Sequence, residues 1–434
     1  MTSSANDHRP QRPRQAGAHP APPAPRVRRP GRASLHALPP LAVALSALAL
    51  ISCVGAAGRP GAAGQSGGRS PAAPTTDASG SAGSPSAVTS PAALPNLTPA
   101  QKAGQRVIYS YSGLQPPATL LSWIRHGQVG GVIFFGGNIS SPAQIAGVIK
   151  QLDQANASAA NPLRADPLLL MTDQEGGVVR RLPGRPFASE KQIGEEAHPA
   201  AAAKAAGTGA GQNLAGVGMN VNLAPVLDVY RTAGDFDDQF GRSYSTSPQV
   251  VSALGADFIK AQQATGVAAT AKHFPGLGAA SSTQDTDARP VTLNVGLHAL
   301  RTIDEYPYRA AIAAGVKLVM LSWAVYPALA RSTPAGLSSA VVNGELRDRL
   351  GFRGVTITDA LEAGALQAFG TTGHRATLAA RAGMDLILCS GQRASQGRLA
   401  RSALATALSS GALSASVFDA ALTRVIALRT GLRG

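Results

Sequence analysis

The segment GVAATAKHFPGLGAASSTQDTDARP, Gly266 to Pro290, runs from a short apolar stretch straight into a loop crowded with groups of opposite charge. Gly266 to Thr270 has the length and apolarity of a buried strand, so Lys272 and His273 emerge at its carboxyl end. Pro275, Gly276 and Gly278 then break regular structure and open a loop. That loop carries Asp285 and Asp287, two carboxylates one residue apart that approach the Lys/His pair if the chain folds back. By spacing alone the same residues also fit an ordinary exposed turn.

Seven other apolar runs repeat the pattern: Arg106 to Ser110, Gly130 to Phe135, Pro167 to Thr172, Met219 to Pro225, Lys317 to Ser322, Gly354 to Thr358 and Met384 to Cys389. Amphipathic segments lie between most of them, among them Ser141 to Asn156, Ser247 to Thr265, Gly296 to Ala314 and Gly373 to Ala382. Strands alternating with helices call for a mainly parallel sheet. Eight such units in about 340 residues predict an α/β protein whose single folded domain, residues 94–434, is a (β/α)8 barrel of the TIM type. A doubly wound open sheet is the alternative, but it calls for a Gly-rich phosphate turn after the first strand, and no GxGxxG sits there.

Polar residues gather where these runs end: Asp173, Asp228, Lys272, Ser322 and Asp359. In a barrel, strand ends share one rim, so residues far apart in sequence converge on one pocket. Each is also readable as a helix cap. Asp359, with Glu362 three residues on, fits an acidic variant of the capping box at a helix start.

The 434 residues are 44% hydrophobic and 15% charged, which allows a sizeable core and excludes a chain disordered throughout. Of the formal charge of +15, the first 52 residues carry +6, from seven arginines and one aspartate. No basic run is interleaved with aromatics, so nucleic acid is not an expected partner, whereas an anionic envelope surface or polymer is compatible with the charge that remains. The histidines are scattered and show no metal-ligand spacing, so neither metal nor cofactor is expected. Cys389, after Leu386-Ile387-Leu388, reads as a small buried thiol. Trp323 and Tyr326 follow the sixth run and fit either an apolar platform for a ligand or core packing.

Residues 1–53 read as an export signal: a leader with Arg9, Arg12, Arg14, Arg26, Arg28, Arg29 and Arg32, then an apolar run, Leu41 to Ile51, too short to span a bilayer. Leu50-Ile51-Ser52-Cys53 resembles the bacterial lipobox, which implies lipidation of Cys53 and tethering to the outer face of the cell membrane. A plain signal peptide cleaved near Ala56 or Ala57, with secretion, is the alternative. Residues 54–93 are Gly, Ser, Ala, Pro and Thr with hardly any large apolar residue, the composition of a flexible linker.

Five motifs in order, LLMTDQEGGVVRRL (Leu169 to Leu182), NLAPVLDV (Asn222 to Val229), GRSY (Gly241 to Tyr244), AKHFPGLG (Ala271 to Gly278) and GVTITDAL (Gly354 to Leu361), resemble those of family 3 glycoside hydrolases. The resemblance covers the whole barrel and is strongest to the single-domain bacterial β-N-acetylglucosaminidases of peptidoglycan turnover. It implies a monomeric retaining β-N-acetylhexosaminidase with a carbohydrate substrate, the terminal β-linked N-acetylglucosamine of cell-wall fragments or related glycans. Asp359 takes the place of the family's nucleophile, and Asp173, Arg181, Arg242, Lys272 and His273 that of its sugar-binding set, with Glu175 and the Gly176-Gly177 turn beside them. Carboxylates accept from sugar hydroxyls while Lys and Arg donate, so a mixed-charge pocket orients a neutral ring. The Asp359 cap setting would also help to keep a nucleophilic carboxylate ionised.

The chain then departs from the family. The Asp-Ser-His loop that supplies the acid/base histidine in this branch is matched by Asp285-Thr286-Asp287, Leu277 replaces a second histidine and Ala360 a second aspartate. Three readings follow. Asp287 is the general acid/base, its pKa raised by burial or by Asp285. Otherwise another group closes over the site from Gly234 to Gln239, with Asp235, Asp237 and Asp238, and the Asp285 segment is structural. In the third, turnover is weakened and the protein is an envelope-tethered sugar or muropeptide binder. A family 3 β-glucosidase or xylosidase is a further alternative on substrate. Some relatives use phosphate in place of water, and with Asp287 replacing the histidine, like-charge repulsion favours hydrolysis here.

Overall fold

The computed structural model describes residues 95–432; the leader with Cys53 and the linker 54–93 lie outside the described residues. In chain order the strands are β1 (Val107–Tyr109), β2 (Gly131–Ile133), β3 (Leu169–Thr172), β4 (Gln174–Gly176), β5 (Val179–Arg180), β6 (Val221–Asn222), β7 (Ala268–Phe274), β8 (Leu318–Leu321), β9 (Val355–Thr358) and β10 (Ile387–Leu388). Eight of them form one parallel sheet in the order β10-β1-β2-β3-β6-β7-β8-β9. A parallel bridge between Ile357 and Leu386 joins the two ends, so the sheet closes into the expected (β/α)8 barrel. Each of the eight apolar runs contributes one strand.

Strand alternation builds two cores. Ile133, Leu169, Met171, Leu318, Met320, Val355 and Ile357 pack inside the barrel, while their neighbours Val132, Leu170, Val319 and Leu321 pack outward against the helices.

The helices start where the sequence supplies caps. Ser141 and Ser247 each accept a backbone N–H from three residues on, with proline at the first helical position, and open Pro142–Asn156 and Pro248–Gln263. Two departures from the sequence pattern have local causes. Gly296 to Ala314 is not one helix but three pieces, Leu297–Ala299, a π-helical turn over Leu300–Asp304, and Tyr306–Ala313. Pro307 accounts for the break, since its ring and missing N–H cannot continue a preceding helix. Pro199–Ala215 forms a 17-residue helix without clear apolar periodicity, because it is mostly Ala and Gly. Those small residues let it pack closely on Pro248–Gln263: a Cβ on Gly207 would lie 2.3 Å from the Phe258 carbonyl oxygen.

Outside the barrel sheet, β4 and β5 pair as an antiparallel hairpin over the rim. Asn222 at the end of β6 ties it down, accepting the Gln174 N–H at 2.9 Å and donating to the Gln174 carbonyl at 3.1 Å. Gly176 and Gly177 turn the hairpin at φ +118° and +53°, and a Cβ on Gly176 would collide with the Ala188 carbonyl at 2.2 Å.

Candidate active site

A cavity of about 350 Å³ opens at the carboxyl ends of the strands. Ile133, Leu223, Met320 and Leu388, from the top of the barrel interior, line it, and so do Asp173, Arg181, Arg242, Lys272, His273, Asp285, Asp287 and Asp359. The positions that the family resemblance marks for catalysis or sugar binding therefore meet in one place.

One wall is a closed ion-pair network. The alternation that turns Ala268 into the barrel brings Lys272 to its mouth. Its ammonium lies 2.8 Å from Asp173 Oδ1 and 2.7 Å from Glu175 Oε1. Arg242 grips Glu175 with two parallel bonds, Nε to Oε2 at 2.8 Å and Nη2 to Oε1 at 2.9 Å, and reaches Asp237 Oδ1 at 3.1 Å. Burial raises the Glu175 pKa, but Arg242 and Lys272 outweigh it and hold the carboxyl down to about 2. Burial lowers the Lys272 pKa, and Asp173 and Glu175 override it upward. Glu175 and Lys272 therefore stay charged at neutral pH. Arg181 follows the hairpin on the same wall, its N–H bonded to the Asp173 carbonyl at 3.2 Å.

Behind this wall stands a second chain of polar groups. His273 Nδ1 meets Asp228 Oδ2 at 2.7 Å, and Asp228 Oδ1 also accepts the Leu277 N–H at 2.5 Å. Burial, then the charge of Arg242, lowers the His273 pKa to about 4, so the ring is neutral, donates from Nδ1 and keeps Nε2 as an acceptor. Asp237 is buried beside Asp228; burial and that neighbour raise its pKa to about 7. Asp228, Asp237 and His273 bring ligand-type atoms within 4.8 Å of one another. Their lone pairs are already engaged in part with Leu277, Arg242 and each other, and the Arg242 charge beside Asp237 opposes a cation there.

The opposite wall consists of loops. Asp359 follows β9 and its Oδ1 accepts the N–H of Ala360 at 2.7 Å. Asp285 Oδ1 accepts the Asp287 N–H at 2.8 Å, fixing the turn that presents Asp287. The Asp285 segment is docked on the loop after β9: Gly364 N–H donates to the Asp287 carbonyl at 2.7 Å and Ala365 N–H to that of Thr286 at 3.0 Å. Burial, then Asp287, raises the Asp359 pKa to about 6. Burial, then Asp285 and Glu362, raises that of Asp287. Glu362 lines the same cavity and is held by Ser390 Oγ at 2.6 Å and Gln396 Nε2 at 2.8 Å.

Several expectations need correcting. Asp359 is not a helix cap: the next helical piece is a short 3₁₀ turn, Gly364–Phe369, and Glu362 bonds Ser390 and Gln396 instead of the Asp359 backbone. No helix terminus therefore holds Asp359 ionised, and its pKa goes up, not down. The acidic loop after Gly234 does not bring its carboxylates over the site. Asp235 caps Arg231 and Thr232, Asp237 is buried behind Arg242 and Asp238 pairs with Lys191 at 2.7 Å; only Phe236 of that loop lines the cavity. Asp228 supports His273 from behind, and Ser322 is spent on the Ala324 N–H. Trp323 and Tyr326 are core residues: the indole donates to the Ala360 carbonyl at 2.8 Å and the phenol to that of Gly276 at 2.9 Å. Cys389 is a buried free thiol, as expected. The sequence reading assigned Glu362 no place in the pocket, because its spacing from Asp359 imitates a capping box.

Comparison with known proteins agrees with this geometry. Residues 100–428 match the glycosyl hydrolase family 3 N terminal domain. An uncharacterized secreted glycosyl hydrolase of Arthroderma benhamiae is 46% identical over 349 residues, 80% of this chain and 97% of that protein. A β-hexosaminidase of Xanthomonas oryzae pv. oryzae is 32% identical over 290 residues, 65% of this chain and 82% of the relative. Among solved structures, a glycoside hydrolase family 3 β-N-acetylglucosaminidase from Paenibacillus sp. superposes with a TM-score of 0.72 at 36% identity, covering 78% of this chain. The present chain spans 63% of that protein's length.

Proposed function

The chain belongs to glycosyl hydrolase family 3 and is a β-N-acetylhexosaminidase-like glycoside hydrolase; from that premise we propose that it is a retaining enzyme removing terminal β-linked N-acetylglucosamine from cell-wall fragments or related glycans. The observation that carries this reading is the placing of Asp359 and Asp287 in one cavity, where the charge of Asp287 raises the proton affinity of Asp359 and both carboxyls bind protons more tightly than usual. Two interacting carboxyls retain one proton between them over the range where each alone would be ionised.

The sugar ring sits against Asp173, Arg181, Lys272 and Arg242, whose mutual pairing holds them in place before substrate arrives. His273, neutral and oriented by Asp228, offers Nε2 to a hydroxyl. The Asp359 carboxylate attacks the anomeric carbon while Asp287 gives its proton to the departing oxygen, so a carbon–oxygen ester forms as the glycosidic bond breaks. Asp287, now a base, takes a proton from water, whose oxygen displaces Asp359 and releases the sugar. Lys272 and the Ala360 N–H stabilise the Asp359 anion, while Asp285 and Glu362 favour the proton on Asp287. The same crowd of carboxylates repels phosphate and favours water as the acceptor.

Export followed by lipid tethering through Cys53 belongs to this proposal. It rests on the leader and the lipobox-like Leu50-Ile51-Ser52-Cys53; secretion without an anchor is the alternative.

A 2-fluoro sugar fluoride with the N-acetylglucosamine configuration tests the chemistry. Inactivation with a peptide label on Asp359 is the expected result. Labelling at another residue overturns the nucleophile assignment, and calorimetric sugar binding with no label and no turnover of any aryl glycoside points to a binding protein.

A further inference from the structure

The charges of the cavity are divided between its walls. On the hairpin side, Asp173 and Glu175 are matched by Lys272 and Arg242, and Arg181 adds a further cation. On the loop side, Asp285, Asp287 and Glu362 line the opening, and no Lys or Arg from these loops lines it among the described residues. Arg375, whose charge reaches Glu362, is turned instead to the Leu361 carbonyl at 3.0 Å. Arg289, two residues after Asp287, bonds the Thr283 carbonyl.

Glu362 is an exposed carboxylate, yet it is held in position by Ser390 and Gln396. Two directional bonds to a surface acid keep a fixed negative charge at the mouth, where a solvated side chain would move away.

This bears on the leaving group, and it rests on the reading of Asp287 as acid/base given above. The acid/base stands beside the glycosidic oxygen, so the wall that carries it faces the aglycone. We infer that the aglycone side of the cavity, where the carboxylates of Asp285 and Glu362 flank Asp287, selects leaving groups that carry an ammonium, such as a hexosamine with a free 2-amino group, and disfavours those that carry a carboxylate, such as a muramyl unit. The substrate class is thus a partly de-N-acetylated amino-sugar oligomer. The preference is local: the chain as a whole is basic, at +15, and by itself would attract anions.

Three disaccharides with an N-acetylglucosaminyl non-reducing end test this: one with a free glucosamine at the reducing end, the neutral chitobiose, and one ending in muramic acid. Binding is measured calorimetrically on Asp359→Ala and kcat/KM on the unmutated protein, at low and high salt. The expected order is cationic over neutral over anionic, with about tenfold between the extremes at low salt and less at high salt. Glu362→Gln, a surface change, should shrink that ratio severalfold. Equal binding of the three, or preference for the muramyl compound, overturns the inference. If the binding order holds while none of the three is cleaved by the unmutated protein, the charge selection stands and the hydrolase reading fails.

Discussion

The hairpin wall and the loop wall of the cavity use the same chemical groups in opposite ways. On the hairpin wall each carboxylate has a cation within 2.8 Å, and burial makes those pairs rigid. On the loop wall the carboxylates have only hydrogen-bond donors or one another, and the proton affinities of Asp287 and Asp359 are raised. Compensated charge holds a ligand in place, whereas uncompensated charge can take up and release a proton. Under the proposed function, recognition falls to one wall and chemistry to the other, and the contrast can be broken at either.

The largest effect is expected at Asp359. Asp359→Ala should lower kcat on an aryl β-N-acetylglucosaminide by at least about 10⁴-fold while leaving sugar binding measurable by calorimetry. A loss under tenfold would take the nucleophile away from this residue.

Asp287→Ala comes next, with about a 10³-fold loss of kcat/KM for poor leaving groups and little for activated ones, and with azide restoring turnover as a glycosyl azide. Its pH profile sharpens the comparison. In the unmutated protein the two carboxyls titrate as a pair, and activity falls at low pH as the pair takes up its second proton, because the nucleophile must be ionised. It falls again at high pH as the pair gives up its last proton, because the acid must hold one. Removing Asp287 should abolish the alkaline limb and move the acid limb to lower pH, since one cause of the raised Asp359 pKa is gone. An unchanged bell would place the acid elsewhere.

On the hairpin wall the cost should appear as stability. Glu175→Ala leaves Lys272 and Arg242 with too little negative charge in a buried setting, and denaturant titration should show a loss of about 3 kcal/mol. A loss near zero would mean that the network is not a structural unit.

The smallest effect belongs to Asp237. A folded-state pKa of about 7, raised by burial and by Asp228, means that the folded protein holds a proton there which the unfolded chain releases at lower pH. The stability it contributes is complete below the ordinary carboxyl pKa and is lost as pH climbs through 7. Asp237→Asn removes that loss, so thermal midpoints of the variant should fall less than those of the unmutated protein between pH 5 and pH 8. Parallel midpoints in the two proteins would show that Asp237 does not titrate there.

Part of this was legible in the residues and part was not. The eight apolar runs announced eight strands because a buried parallel strand needs a short continuous apolar stretch. The Ala- and Gly-rich helix Pro199–Ala215 and the break at Pro307 were harder to read, because small side chains carry no clear apolar period and one proline leaves it largely intact. Within the site, Asp359 and Glu362 stand three residues apart, a spacing shared by a cap and by two pocket carboxylates; only the loop path after β9 separates the cases.

By itself the sequence determined the barrel, its strand order in chain and the residue types brought to one rim, because all three follow from local apolarity and from the geometry of strand ends. The tertiary structure decided which charge neutralises which. Glu175 stands 67 residues from Arg242, and Asp287 approaches Asp359 only through loop docking. Proton affinity depends on burial and on charges a few ångströms away, and those distances do not exist until the chain has closed on itself.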